Sequence, residues 1–438
     1  MSWESPEIYG TELAEAPSGT EIPISVDRLL KSWLSLTEES REALNLVPSE
    51  NRMSPLAMLP LSSDFYNRYF FNDRLDSGFW QFRGGQSASH FEVDVALPSL
   101  RRLTASEYVN LRPISGLNTM LIAVAGLGGV PGSAVVSIGH DWGGHYATSA
   151  LVERLGLRSV TVRVERGKVD ASELERVLRQ DAPTLVYLDL QNSLDPLDVP
   201  PVAAAIRTHS PGTLLHVDAS HVLGLILGGA IPNPLDAGAD SVGGSTHKTF
   251  PGPHKGILFT RDAEIADRLR RAQFNLLSSH HFAETISLGL AALEFENFGA
   301  AYAEQVLRNA TAFGRALRHR GFDVIGDPER PTGTHQVWVR IGDAPRTDHV
   351  AENLYLAGIR VNVQTDLPGL PGAMFRLGVS EVTFEGADED AMGLLADAFV
   401  HAADGRPGRA AGIRADIRAG MTRPYFYTGA ELRHLQHS

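Results

Sequence analysis

Cysteine is absent from the 438 residues, which excludes disulfides, thiolate catalysis and cysteine-ligated metals. Positive charge is scarce: 39 Lys and Arg face 52 Asp and Glu, a net charge of −13. So acidic a chain lacks the basic footprint that grips nucleic acid by its phosphates, although a few local cations suffice for a small anionic ligand. Long apolar runs are missing too. The longest, such as Met120–Leu127, are too short and too broken by glycine to span a bilayer. Met1-Ser2-Trp3-Glu4 offers neither a basic nor an apolar leader region, so no secretory signal is expected and a cytoplasmic location is. Neither nucleic acid nor membrane is an expected partner. What remains is a globular composition, 43% hydrophobic and 21% charged, long enough for two or three structural units.

Residues 1–25 are polar, with Pro6, Pro17 and Pro23, and read as an arm. Val26, Leu29, Leu30, Trp33 and Leu34 then recur at the spacing of an amphipathic helix. Residues 45–90 show no clean period but are rich in aromatics: Phe65, Tyr66, Tyr69, Phe70, Phe71, Phe79, Trp80 and Phe82. They read either as a packed irregular segment or as a ligand or subunit interface. From about 110 to 260, strands and helices alternate. Ala134–Ile138, Ser159–Val164, Leu185–Leu190 and Leu214–Asp218 have strand character, and Ala147–Leu155 has helical character. Asp170 and Glu173 read as a capping box before Leu174, Val177 and Leu178. Apolar strands separated by helices predict an α/β fold with a buried, mostly parallel sheet. In such sheets function collects at the carboxyl ends of the strands.

Beyond Asp262 the chain turns helical, over Ile286–Phe298 and Tyr302–Arg318. Strand candidates Phe322–Ile325, Gln336–Ile341, Arg360–Gln364 and Met374–Gly378, with a helix near Asp348–Ala357, indicate a smaller α+β domain. Ala402–Gly412 reads as a loop before a polar tail. The expected division is an arm and helix over 1–45, a large domain over 46–300 and a small domain over 301–438.

The chemistry concentrates in Gly243-Gly244-Ser245-Thr246-His247-Lys248-Thr249, followed by a Gly/Pro-rich turn. A lone lysine is ordinarily a surface charge. Here a strand about 30 residues upstream ends in His216-Val217-Asp218-Ala219-Ser220-His221. A carboxylate at a strand end and a lysine on a later turn are the pair that holds pyridoxal 5'-phosphate. The lysine forms the Schiff base, and the carboxylate keeps the pyridine nitrogen protonated so that the ring is an electron sink. Ser115-Gly116-Leu117-Asn118, before the helical run Met120–Ala125, suits either a plain helix cap or a phosphate turn. Asp141-Trp142-Gly143-Gly144-His145 follows a strand, where His145 is either a structural histidine or a ring-stacking group. A metal reading of His140 and His145 is weaker, because no carboxylate accompanies them at ligand spacing, and no metal is expected.

Thr246-His247-Lys248-Thr249 with the following Gly-Pro, Val217-Asp218-x-x-His221, Gly143-Gly144-His145 and Ser49-Glu50-Asn51, in that arrangement along the chain, resemble serine hydroxymethyltransferase from about residue 26 to about 400. The resemblance implies the fold-type-I pyridoxal-phosphate architecture and a homodimer with shared active sites. It implies Lys248 as the Schiff-base lysine, Asp218 on the pyridine nitrogen, His145 stacked on the ring and His221 near the phenolic oxygen. Gln191 belongs to the same cofactor set. Gly116, Leu117 and Asn118 match the phosphate turn, with Ser278 and Ser279 where a partner subunit offers backbone to the phosphate. Ser49 and Arg376 match the groups that bind the substrate carboxylate, a role suited to a guanidinium fork. Tyr66 matches the family's active-site tyrosine, and His254 replaces a basic residue downstream of the lysine.

The departures carry information. Arg68 stands where the family has a glutamate that moves protons in the folate reaction, and Phe82-Arg83 replaces a tyrosine pair. A cation cannot perform the carboxylate's proton chemistry. The loop after Arg360-Val361-Asn362-Val363-Gln364 also lacks the family's folate-side pattern. The run from His247 to Gly256, Thr334-His335-Gln336-Val337 and Arg376-Leu377-Gly378-Val379 are more similar to the threonine transaldolase branch of the family. That branch cleaves a β-hydroxy amino acid and adds its glycine part to a second aldehyde without folate. The resemblance therefore implies an enzyme whose partners are an amino acid and an aldehyde. An anionic or oxygen-rich acceptor would gain from Arg68 and Arg83 if both face the pocket. Two alternatives stand beside it: a hydroxymethyltransferase for serine or an α-substituted serine that uses tetrahydrofolate, and a non-catalytic family member. The retained lysine, aspartate, histidine and arginine weigh against the second.

Overall fold

The computed structural model describes residues 25–69 and 82–435. The arm prolines and Phe70, Phe71, Phe79 and Trp80 lie outside them. The chain divides into two compact units between Glu42 and Ala43. The first contains helix α1, Val26–Glu42, none of whose residues is buried. Its apolar stripe, with Leu29, Leu30, Trp33 and Leu34, faces solvent.

The second unit is built on a seven-stranded sheet. Its strands are β1 (Tyr108–Asn110), β2 (Ala134–Ile138), β3 (Arg158–Val162), β4 (Leu185–Asp189), β5 (Leu214–Asp218), β6 (Ser241–Ser245) and β7 (Gly256–Thr260). They lie in the order β1-β7-β6-β5-β4-β2-β3. Only β7 runs against its neighbours; the other pairings are parallel. Every residue of β2 and β4 is buried, because helices cover both faces, and this is why these strands are mostly apolar, with Ser137 and Asp189 the polar exceptions. The parallel strands align their carboxyl ends along one edge.

Between β1 and β2, helix α2 (Gly116–Leu127) starts at Ser115, whose hydroxyl accepts from the Asn118 N–H. Helix α3 (Phe282–His319) runs for 38 residues. The sequence suggests two helices here, and the structure has one. Gly299 does not break α3: a Cβ there would run into the Phe295 ring, and its carbonyl lies where a Cβ on Gly228 would go, so tertiary packing overrides glycine's poor helix propensity. The boundary expected at residue 300 falls inside this helix.

A four-stranded antiparallel sheet follows: β8 (Asp323–Val324), β9 (Gln336–Arg340), β10 (Asn362–Gln364) and β11 (Met374–Gly378), in the order β8-β9-β11-β10. The loop expected over Ala402–Gly412 is mostly helical. It joins α4 (Glu389–Ala403) to α5 (Pro407–Gly420). Ala and Arg are good helix formers, Pro407 occupies the first turn where its missing N–H costs nothing, and Ala410 and Ile417 are buried. The capping box at Asp170 and Glu173 is half formed. Asp170 accepts from the Glu173 N–H at 3.0 Å, but Glu173 accepts from the Arg163 N–H instead, and the Asp170 N–H donates to the Arg163 carbonyl. No helix among the described residues is long and apolar enough to cross a membrane.

Candidate active site

A cavity of about 320 Å³ opens at the carboxyl edge of the large sheet. Gly116 and Leu117 follow β1, His145 follows β2, and Gln191 follows β4. Asp218 ends β5, with His221 just beyond it. Ser245 ends β6, ahead of Lys248. All of these line the one cavity, as the topology of a parallel sheet requires.

Asp218 is held as an acceptor on both oxygens. Tyr187 Oη donates to Oδ2 at 2.7 Å, and the Ser220 N–H donates to Oδ1 at 2.8 Å. Lys248 Nζ lies 3.3 Å from His221 Nε2. Burial pulls Lys248 down to about 8; Asp218 opposes the shift and Arg376 adds to it. Behind the lysine, Asn51 donates to the Lys248 carbonyl at 2.6 Å, and Tyr302 donates to the Thr249 carbonyl at 2.9 Å. Lys255, the second lysine of the same stretch, is fully buried, donates to the His280 carbonyl at 2.7 Å and does not line the cavity.

Arg376, on β11, is 3% exposed. Its Nη2 donates to the Gln191 carbonyl at 2.6 Å and lies 3.3 Å from His221 Nε2; its Nε donates to Gln336 Oε1 at 3.1 Å. His221 Nε2 therefore faces two cationic donors, which makes it an acceptor and puts the ring proton on Nδ1. Burial, reinforced by Lys248 and Arg376, holds His221 well below the ordinary histidine range. His145 is lowered to about 4, chiefly by burial, against an upward pull from Asp218. Its Nδ1 accepts from the Ala147 N–H at 3.2 Å, leaving the proton on Nε2.

Pyridoxal phosphate fits these residues. A Cβ on Gly116 would lie 2.2 Å from Ser245 Oγ, so only glycine leaves this cradle open at a helix N-terminus. The first amides of that helix have no intrahelical acceptor and suit a phosphate. Asp218 stands ready for a pyridinium N–H, and Lys248 for the aldehyde. Gln191 Oε1 is buried without a partner.

Other sequence-predicted residues are placed differently. Asn118 does not line the cavity: its N–H caps onto Ser115, and its side chain accepts from the Ile114 N–H at 3.1 Å. Ser49 follows Pro48, which packs on Gly378 two residues beyond Arg376. Tyr66 is 49% exposed and stacks on His281. Arg68 pairs with Asp64, and Arg83 donates to Gln86. Ser278 and Ser279 are exposed. Within one chain none of these seven residues lines the cavity, so the condition that Arg68 and Arg83 face it is not met in a single subunit.

Three residues without a predicted role belong to the site. Asp189, paired in register with Asp218, lines the cavity, accepts from Thr148 at 2.5 Å and fixes the His145 N–H at 3.2 Å. Burial raises its carboxyl well above the usual range. Gln336 orients Arg376. His335 stacks on His221 at 5.7 Å. The aspartate closing the Leu185–Leu190 strand was a visible signal for Asp189; the other two connect to the site only across long stretches of chain.

A family model described as Serine hydroxymethyltransferase matches residues 28–399. The chain is 61% identical over 364 residues to an L-threonine:uridine-5'-aldehyde transaldolase of Streptomyces sp, covering 83% of this chain and 88% of that one. It is 57% identical over 390 residues to a protein of the same description from Amycolatopsis sp, covering 89% and 93%. A crystal structure of L-threonine transaldolase from Pseudomonas fluorescens in the internal aldimine state superposes with a TM-score of 0.81 at 27% identity, covering 94% of this chain and 97% of that one. Cavity, strand-end residues and likeness over nearly the whole length agree: the chain belongs to the serine hydroxymethyltransferase family of pyridoxal-phosphate enzymes.

Proposed function

We propose that this protein is a pyridoxal-phosphate-dependent transaldolase. It splits threonine into acetaldehyde and a glycine unit, and joins that unit to a second aldehyde, without folate. The observation that carries the reading is the 61% identity to an L-threonine:uridine-5'-aldehyde transaldolase, and by that likeness the acceptor is a nucleoside 5'-aldehyde. The bound cofactor supplies an electron sink for negative charge at the amino acid's α-carbon.

The chain's own residues do the rest. Lys248, lowered to about 8, is the amine that anchors the cofactor. Asp218, fixed by Tyr187 and Ser220, holds the pyridine proton. Gly116, Leu117 and Gln191 complete the cofactor site, and Arg376, oriented by Gln336, takes the α-carboxylate with Ser49 nearby. Cleavage needs a base for the β-hydroxyl proton. His145 and His221 are both neutral near pH 7, and His221 Nε2 is free to take that proton once Lys248 holds the cofactor and Arg376 the α-carboxylate. The same imidazole returns the proton to the alkoxide of the new product.

Tyr66, Arg68, Ser278 and Ser279 act across a homodimer, in the partner's cavity. Their exposure supports this arrangement, as do the exposed apolar stripe of α1 and Leu117, which is 47% exposed at the cavity mouth. The part of the chain that carries the seven-stranded sheet then holds the cofactor, and the four-stranded sheet supplies Arg376. The test incubates the holoenzyme with threonine and a panel of aldehydes including uridine-5'-aldehyde. Acetaldehyde release coupled to a new β-hydroxy amino acid is expected; no exchange with any aldehyde would overturn the reading.

A further inference from the structure

Lys255 is a buried cation to which the proposed chemistry gives no part. Its side chain is fully buried outside the cofactor cavity, where an amine stays only if its donors are satisfied. Nζ donates to the His280 carbonyl at 2.7 Å and reaches the Arg112 carbonyl at 3.5 Å. Burial pulls its pKa down to about 7, opposed by Glu284 and Glu92, and even the neutral amine keeps two N–H donors for the two carbonyls. The main chain of the same residue belongs to the lysine loop. Its carbonyl accepts from the Thr246 N–H at 3.0 Å, and its N–H donates to the Pro253 carbonyl at 2.7 Å and to Thr246 Oγ1 at 3.2 Å. Thr246 stands two residues before Lys248. Lys255 therefore joins the loop that carries Lys248 to the segment that contains His280.

That segment is the connection from the helix Ala263–Leu276 to α3. Of residues 278–281 only His280 is buried; Ser278, Ser279 and His281 are exposed. The connection is thus anchored from the inside at His280 and turns its two serines outward. The Thr285 hydroxyl adds a longer contact to the His280 carbonyl, at 3.4 Å. Leu277-Ser278-Ser279-His280-His281 contains neither glycine nor proline, so no residue type presets its path. His281 nonetheless takes a left-handed φ of +56°, a conformation that a residue with a side chain keeps only where its surroundings impose it.

We propose that Lys255 is a positioning residue for the cofactor of the partner subunit. It fixes the 278–281 connection through the His280 carbonyl, and so ties the lysine loop of one site to the phosphate end of the other. The inference rests on the proposed homodimer, in which Ser278 and Ser279 act in the partner's cavity, and deepens it. Backbone N–H groups grip a phosphate only while they point at it together. A connection released from Lys255 loses that alignment, although Lys255 itself touches neither cofactor nor substrate.

The test reads cofactor release from hybrid dimers. One chain carries Lys248→Ala, so lysine-bound pyridoxal phosphate sits only in the other chain's cavity. Release is followed as loss of its visible absorption, with excess apoprotein of another pyridoxal-phosphate enzyme as the trap. In the first arrangement Lys255→Met is added to the Lys248→Ala chain. The occupied cavity is then unaltered, but the connection that closes it is released. Release of the cofactor is expected to quicken roughly tenfold, the scale of a lost hydrogen bond that strands a buried acceptor. In the second arrangement Lys255→Met is placed in the chain that holds the cofactor, and release stays near that of the Lys248→Ala hybrid. A general structural role would quicken release in both arrangements alike. That result, or unchanged release in the first arrangement, overturns the inference. Lys255→Gln, which keeps an amide donor, is read in the same two arrangements should the methionine variant misfold, with the same asymmetry expected. Recovery of activity on mixing Lys248→Ala with Tyr66→Ala protein reports on the shared sites separately: if it is seen while the first arrangement shows no effect, only the role of Lys255 is wrong.

Discussion

His221 and Arg376, 5% and 3% exposed, stand against Tyr66 and Leu117, 49% and 47% exposed. All four belong to one proposed active site. The recessed pair sits in a mesh that is complete within one chain: Arg376 is fixed by Gln336 and the Gln191 carbonyl, and His221 accepts between two cations. The exposed pair has no such frame. Tyr66 rests on His281 at the surface, and Leu117 opens on the cavity mouth. On the proposed dimeric reading, one subunit builds the cofactor and carboxylate half of the site by itself, and a second subunit closes the phosphate and acceptor side. A side chain held by three hydrogen bonds has its position set by folding, whereas an exposed one acquires its position on association.

The largest effect expected is at the centre of the recessed half. Lys248→Ala loses the visible absorption of the lysine-bound cofactor and cuts turnover by roughly a thousandfold or more, the usual scale for a covalent anchor. An alanine variant with that absorption and normal turnover would remove Lys248 from its role. The same variant sharpens the comparison. Mixed and reassociated with an inactive Tyr66→Ala protein, it yields dimers with one intact site, because each chain lends what the other lacks. Activity is then expected at about a quarter of wild type for random pairing. No recovery, with exchange of subunits demonstrated, would place Tyr66 in its own chain's site.

Arg376→Lys keeps a positive charge but loses the planar fork that Gln336 and the Gln191 carbonyl hold in place. Binding of glycine and threonine is expected to weaken by about 1.5–3 kcal/mol, roughly ten- to a hundredfold. Wild-type affinity in equilibrium titration would break the carboxylate assignment.

A smaller effect follows from protonation. Only the neutral amine of Lys248 captures the cofactor, and burial brings its pKa down to about 8. The rate of cofactor capture by apoenzyme should rise about tenfold per pH unit below that value and level off above it. His145, lowered to about 4, adds no second limb near neutrality. A rate that climbs steadily to the ordinary lysine range in stopped-flow mixing would show that Lys248 is not desolvated.

Lys248, Asp218, His145 and His221 were legible because each is announced locally, by a strand end or a small-residue turn, and the sheet then gathers strand ends to one edge. Residues whose role depends on distant contacts were not. Gln336 meets Arg376 across the register of two antiparallel strands, and His335 meets His221 from the bend just before β9. Nothing near either residue in sequence signals this. Asn118 misled for a local reason: a phosphate turn and a Ser115 cap look alike until the cap takes the amide. Ala402–Gly412 misled because glycine among Ala and Arg resembles a loop, while burial of Ala410 and Ile417 made it helix.

The most direct test of the central claim compares substrates with and without folate. Threonine plus an aldehyde is incubated with the holoenzyme, with and without tetrahydrofolate, beside serine under both conditions. The account predicts acetaldehyde release and a new β-hydroxy amino acid at equal rates in the presence and absence of tetrahydrofolate, because Arg68 cannot serve the proton transfer that folate chemistry asks of a carboxylate. Serine turnover that depends strictly on tetrahydrofolate, with no aldehyde exchange from threonine, would contradict it.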